Sequence, residues 1–260
     1  MSDSTSYLDD RVGPDDVIVA ASFCGGVIIG GALTKGIKAI IAQDAAVGKD
    51  QAGISGLPYG DTHGVPVAAV AAGTAALSNG NSMLTGTISH ANLLAQRLGV
   101  RPGQLARVAS HLMLRAPAGK PIRDSVAIDS TLRAMQREAN GAVYAIWTLL
   151  YLGAARYPDD VFALATHSGR VAAEHAIRWN VKGWIANDAG PGKDDSGIAG
   201  LAICGARGMP AAAVAAMSAR IGDALSTYHE GKISSANEPA KDKGVTIGMQ
   251  AKEALRLMLA

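Results

Sequence analysis

Residues 41–57 read IAQDAAVGKDQAGISGL, and residues 185–201 read IANDAGPGKDDSGIAGL. The likeness is not confined to these stretches. With Asp15 set on Asp159, DDVIVAASFCGG meets DDVFALATHSGR, and HGVPVAAVAAGTAA meets RGMPAAAVAAMSAR. After a slip of one residue, TGTISHAN meets EGKISSAN, and ASHLMLR meets ALRLMLA. Roughly 40 of about 100 aligned positions are identical, which marks a repeated structural unit. The unit is too long for a solenoid repeat, so a duplicated half-domain is expected.

Within each copy, short apolar runs alternate with helix-like stretches. Val17–Ala21, Ala39–Ala42, Val65–Ala72 and Thr87–Ser89 read as strands in the first copy. Val161–Ala165, Gly183–Ala186, Pro210–Ala216 and Lys232–Ser234 read as strands in the second. Gly25 and Gly26 open a helix running to Lys35, and further helices are expected over 91–98 and 104–115. This alternation indicates βαβ units on a mainly parallel sheet. The expected fold is α/β, with two tandem homologous halves over 15–115 and 159–260 related by a pseudo-twofold. Residues 116–158 have no copy and are expected to form a helical linker. There Ser130–Asn140 and Ala142–Ala155 read as helices. The second is apolar nearly all round, so it is expected to be buried, bridging the halves or lying in a homo-oligomer interface.

Composition narrows the setting. Apolar residues make up 48% of the chain and charged residues 18%, as in a globular protein. Aromatics are only 4%, so the core must be built from small side chains. The net charge of +2 is scattered, with no basic cluster interleaved with aromatics, which argues against a nucleic-acid partner. The longest apolar runs, Val65–Leu77 and Ala142–Ala155, fall short of the roughly 20 residues needed to cross a bilayer, so no membrane partner is expected. Cys24 and Cys204 stand in no zinc or disulfide spacing. The opening MSDSTSYLDDRVGPDD is polar and acidic, unlike a secretion signal. A cytoplasmic setting is the expectation.

The reactive side chains gather where strands are expected to end, which is where open parallel sheets bind ligands. Ser22-Phe23-Cys24 and Thr166-His167-Ser168 end the first strands, and Asp44 and Asp188 the second. Ser89-His90-Ala91-Asn92 and Ser234-Ser235-Ala236-Asn237 end the fourth. The GKD segments lack the Ser or Thr of a phosphate-binding P-loop and the spacing of a dinucleotide fingerprint. Asp50 and Asp194 suit helix N-caps. A cap does not need Lys49 or Lys193, so these are candidate bases, each expected to face a serine: Lys49 with Ser89 and Lys193 with Ser234. Cys24, at a helix start, is a further candidate nucleophile with an expected low pKa. Candidate substrate-binding residues are Asp44, Asp188, Asp50, Asp194, His167, Ser168, Arg207, Arg220, Asn92 and Asn237. No metal site is assigned, although the aspartates would suit Mg²⁺ if they converged.

Three functions compete. The first is a hydrolase of a small polar or anionic amide- or imide-type acyl compound, at a cleft between the repeats, with a Ser or Cys nucleophile and a Lys base. The second is a non-catalytic module that binds an anionic metabolite. The third is a Mg²⁺-dependent phosphatase or lyase. All three take a small-molecule partner, and the first and second need no cofactor.

Overall fold

The parallel strands of the repeated segments are too apolar to face water on either side. The computed structural model of the chain describes residues 1–123, 128–153 and 156–260. The chain divides into two units. Met1–Val47, Gln51–Ala127 and Gly192–Asp194 form the first; Gly48–Asp50, Ile128–Pro191 and Asp195–Ala260 form the second.

In the first unit β1 (Val17–Phe23), β2 (Ala39–Gln43) and β3 (Val67–Val70) are buried almost end to end, as parallel strands covered on both faces are. They lie in chain order and pair in parallel, with Ile40 opposite both Ile18 and Val67. α1 (Gly26–Leu33) follows β1, and α2 (Gly56–Thr62) follows β2. Residues of even and odd register then point to opposite layers. Ile18, Ala20, Ile40 and Ala42 pack on Ile29 and Leu33 of α1 and Leu57 of α2. Val19, Ala21, Ile41 and Val70 pack on the other layer. That layer holds α3 (Gly80–Thr85), α4 (Leu93–Arg97) and α5 (Ala106–Met113), which contribute Met83, Ala95, Ala109 and Met113. The remaining strand, β4 (Ile88–Ala91), runs antiparallel to β3.

The second unit carries a six-stranded sheet. β5 (Arg133–Glu138) and β6 (Gly141–Ile146) form a hairpin, and β6 pairs in parallel with β7 (Val161–His167). From there the succession of the first unit recurs: α6 (Arg170–Trp179), β8 (Gly183–Asn187), α7 (Ala199–Gly205), β9 (Ala211–Val214), α8 (Ala224–Glu230), β10 (Ile233–Ala236), α9 (Glu238–Asp242) and α10 (Ala251–Leu259). β7, β8 and β9 are parallel, and β10 is antiparallel to β9. Phe162, Leu164 and Trp184 face α6 and α7, while Val161, Ala163 and Ile185 face α8 and α10. The architecture is thus α/β with two mostly parallel sheets.

The expected helical linker is corrected. Ser130–Asn140 and Ala142–Ala155 are not helices: they supply β5, β6 and a 3-10 turn at Leu149–Leu152. Ala154 and Ala155 lie outside the described residues. An apolar run of this length fits a buried strand as well as a buried helix. The turn at Ala139 and Asn140 decides it, because Glu138 pairs with Gly141 across those two residues. Gly141 has φ +138, and a Cβ there would fall 1.9 Å from the Asp159 carbonyl oxygen, so only glycine fits. The apolar run is used inside the unit: Val143, Ala145, Ile146, Trp147 and Leu149 are all buried. Among the described residues no helix is long and apolar enough to cross a membrane.

The repeated Gly of GKD..GI.GL also has a packing reason. A Cβ on Gly53 would meet the Asp44 carbonyl oxygen at 2.3 Å, and one on Gly197 would meet that of Asp188 at 2.2 Å. In each unit the chain doubles back directly over the aspartate that ends the second parallel strand.

Candidate functional site

Strand direction sorts the candidate residues between two ends of each sheet. Ile233 of β10 lies opposite Val214, the last residue of β9, so the start of this antiparallel strand sits at the carboxyl end of the parallel ones. Ser234 is therefore beside Asp188, which directly follows β8. The Ser234 hydroxyl donates to Asp188 Oδ2 at 2.7 Å, with the Ala213 carbonyl oxygen farther off at 3.3 Å. Asp188 is only 5% exposed, and its Oδ1 accepts the backbone N–H of Gly190 at 2.8 Å and of Ala216 at 2.9 Å. A buried carboxylate is tolerable only when so satisfied.

The loop after Asp188 is held in an unusual backbone. Ala189, Asp194 and Asp195 all have left-handed φ values, 52°, 55° and 53°, costing about 1 kcal/mol each for a residue with a side chain. The buried Asn187 side chain supports the turn, accepting from the Ala189 N–H and donating to the Ala219 carbonyl, both at 2.9 Å. In the first unit Asp44 accepts the Ala46 and Ala72 N–H groups, each at 2.9 Å, and Ala45, Ala46 and Val47 are left-handed in succession. Ser89 there donates to the Ala69 carbonyl oxygen at 3.2 Å.

Asn92 and Asn237, expected beside these serines, stand at the opposite end. The same antiparallel course that brings Ser234 to the carboxyl end carries Asn237 to the start of β9. Its Oδ1 accepts from the Ala211 N–H and caps α9 through the Ala240 N–H, and its Nδ2 donates to the Leu201 and Met209 carbonyls. Asn92 does the same with Val67, Ala95 and Val65. Both are buried and fully engaged as structural ties. Arg207 lies in the turn leading into β9, also away from Ser234, and is exposed.

The expected capping role of Asp50 and Asp194 is not what the chain adopts, since the α-helices start later, at Gly56 and Ala199. Asp50 and Lys49 belong to an ion-pair network of the second unit. Lys49 Nζ lies 3.0 Å from Glu230, and Arg220 reaches Asp50 at 3.1 Å, Asp223 at 3.3 Å and Glu230 at 3.4 Å. The Ser226 hydroxyl and Lys49 hold the Glu230 carboxyl down at about 2, and Asp50 raises the Arg220 guanidinium further. Asp223, Ser226 and Glu230 went unnoticed in the sequence, although Asp223 and Ser226 stand at the spacing of an N-cap and its N3 residue. Lys193 lies in the 3-10 turn Lys193–Asp195, partly buried, and Asp194 is exposed.

Cys24 departs from the expected activated thiol. It is fully buried, and burial together with the nearby Asp44 charge pushes the thiol up rather than down. Its counterpart Ser168 is equally buried, and among the described residues its hydroxyl has no hydrogen-bond partner. His167 Nδ1 accepts the Gly169 N–H at 3.1 Å, which leaves the ring proton on Nε2, and burial lowers its pKa to about 4. Among the described residues no group of three or more His, Cys, Asp or Glu side chains is placed to hold a metal ion.

In three comparisons, no protein-family model, curated protein or solved structure matches the chain.

Proposed function

We propose that the chain is a hydrolase of small polar or anionic amide- or imide-type acyl compounds, with Ser234 as nucleophile and Asp188 as its proton acceptor. The 2.7 Å hydrogen bond from the Ser234 hydroxyl to the Asp188 carboxylate carries this reading. A serine hydroxyl is a weak nucleophile until a neighbouring group takes its proton. Ser234 is partly exposed while Asp188 is buried, so the hydroxyl is reachable and its acceptor is shielded. The strained turn after Asp188 is the kind of backbone that persists at functional sites.

In the proposed reaction Ser234 Oγ bonds to the substrate carbonyl carbon while its proton passes to Asp188 Oδ2. The C–N bond then breaks, and that proton leaves on the departing nitrogen. Water attacks the acyl-serine, gives its proton to Asp188, and the acid departs as Ser234 regains the proton. Asp188 Oδ1 stays anchored by two backbone N–H groups throughout, so the accepting oxygen keeps its place. Cys24 has no part, because a buried thiol held in its neutral form cannot attack.

The test is labelling with a small fluorophosphonate, followed by peptide mass spectrometry, alongside turnover of a panel of small amides, cyclic imides and esters. Covalent label on Ser234, its absence in Ser234→Ala, and turnover lost in the same variant are expected. Label on another residue, or turnover that persists in Ser234→Ala, removes Ser234 from the mechanism. Tight binding of an anionic panel member without turnover in the unmodified protein favours the binding-module reading instead.

A further inference from the structure

We propose that the second unit holds a separate binding cavity for a small zwitterion, an α-amino acid with an aliphatic side chain. The cavity has a volume of about 260 Å³ and is lined by the β5–β6 hairpin, by Ala165 of β7 and by residues 222–225 leading into α8. The hairpin comes from residues 116–158, which have no copy in the repeat. Among the described residues the first unit's four-stranded sheet has no such hairpin, so the repeat alone does not build this cavity.

Its floor is apolar and its rim is charged. Ile146 and Trp147 line the cavity yet are 2% and 7% exposed, so they belong to a fixed wall. Leu225, 38% exposed, stands at its edge. The rim carries Arg133, Asp129 and Asp223. An apolar concavity with a few convergent polar groups is the usual form of a small-molecule site.

Size and charge together select the ligand. An apolar cavity of about 150 Å³ takes benzene, so by proportion this one takes about ten non-hydrogen atoms. The Arg133 Nη1 pairs with Asp129 at 2.7 Å, and a guanidinium has further N–H donors on its other nitrogens, in a fork that matches a carboxylate. Asp223 uses Oδ1 to cap α8 through the Ser226 N–H, and Arg220 approaches its Oδ2 only at 3.3 Å and 3.4 Å. That second oxygen is the proposed acceptor for an ammonium group, which would share it with the two Arg220 N–H donors. A ligand with one charge of each sign satisfies both sides of the rim, and an aliphatic side chain covers the Ile146–Trp147 floor. A simple anion would meet the Asp129 and Asp223 carboxylates, and a simple cation would leave unused the Arg133 N–H donors that Asp129 does not take.

The experiment is calorimetric titration of the full chain with L-leucine, L-leucinamide and N-acetyl-L-leucine, which carry both charges, the positive alone and the negative alone. Leucine is expected to bind at least about tenfold more tightly than either derivative, the worth of one charge-assisted pair. Arg133→Gln is expected to abolish leucine's advantage over leucinamide. Asp223→Asn, which keeps a capping oxygen, is expected to abolish its advantage over N-acetyl-leucine. Leu225→Trp, at a half-exposed position, is expected to block all three. Equal binding of the three compounds, binding of none, or leucine affinity unchanged in both Arg133→Gln and Leu225→Trp overturns the proposal. None of these residues touches Ser234 or Asp188, so the outcome is independent of the hydrolase reading.

Discussion

The Ser234 hydroxyl donates to Asp188 Oδ2 at 2.7 Å, joining the start of an antiparallel strand to the residue that ends a parallel one. The two are 46 positions apart in the chain. In the sequence they align with Ser89 and Asp44, yet Ser89 donates to a main-chain carbonyl at 3.2 Å. The repeated serines are therefore not equivalent.

Ser234→Ala and Asp188→Ala are expected to separate chemistry from stability. Ser234→Ala removes one hydrogen bond to a carboxylate and costs about 1–2 kcal/mol in urea unfolding. Turnover of the substrate found in the acyl panel is expected to fall on the order of a thousandfold or more. Asp188→Ala leaves the Gly190 and Ala216 N–H groups unpaired and is expected to cost about 2–4 kcal/mol. A Ser234→Ala variant that unfolds as readily as Asp188→Ala would mean the serine is chiefly a structural tie.

Asn237 behaves in the opposite sense. Asn237→Ala removes a helix cap and the ties to Ala211, Leu201 and Met209, and is expected to lower stability by about 2–4 kcal/mol. Turnover per folded molecule should be unchanged, because these bonds lie at the far end of the sheet from Ser234. A specific loss of turnover, at full folding by circular dichroism, would place Asn237 in the site after all.

Cys24 and Cys204 are both fully buried, and burial raises both thiols. Neither is expected to react with a disulfide reagent in the folded protein, and both react once urea unfolds it. Ser168→Cys, which installs at the second position the residue found at the first, is expected to be neutral or stabilising by about 1 kcal/mol, since it removes a buried hydroxyl without a partner. Rapid labelling of Cys24 in the native protein would contradict its buried, protonated state.

His167 sets a pH dependence. Its folded pKa, about 4, lies below the ordinary histidine value of 6.5. Between these values the unfolded chain binds the extra proton and the folded one does not, so stability rises with pH across the window. The contribution is complete above pH 6.5 and lost as pH falls through about 4. His167→Asn keeps an acceptor for the Gly169 N–H and cannot protonate. It is expected to flatten the urea midpoint between those pH values, and an unchanged slope would assign the dependence to other groups.

The sequence by itself determined the first two strands of each repeated segment. Val17–Ala21, Ala39–Ala42, Val161–Ala165 and Gly183–Ala186 are all strand, because a short, wholly apolar run bounded by turn residues has few other ways to be buried. The sequence also placed Asp44 and Asp188 at strand ends. It could not say which way a strand runs beside its neighbour, since periodicity is the same read in either direction. That direction, set by the connection and the packing of the sheet, joined Ser234 to Asp188 and sent Asn237 to the other end. Nor could it choose strand over helix for Ala142–Ile146, where an apolar run satisfies both and the two-residue turn at Ala139 and Asn140 decides. The raised thiol of Cys24 and the pairing of Lys49 with Glu230 were likewise tertiary outcomes, because desolvation and charge proximity depend on residues far away in the chain.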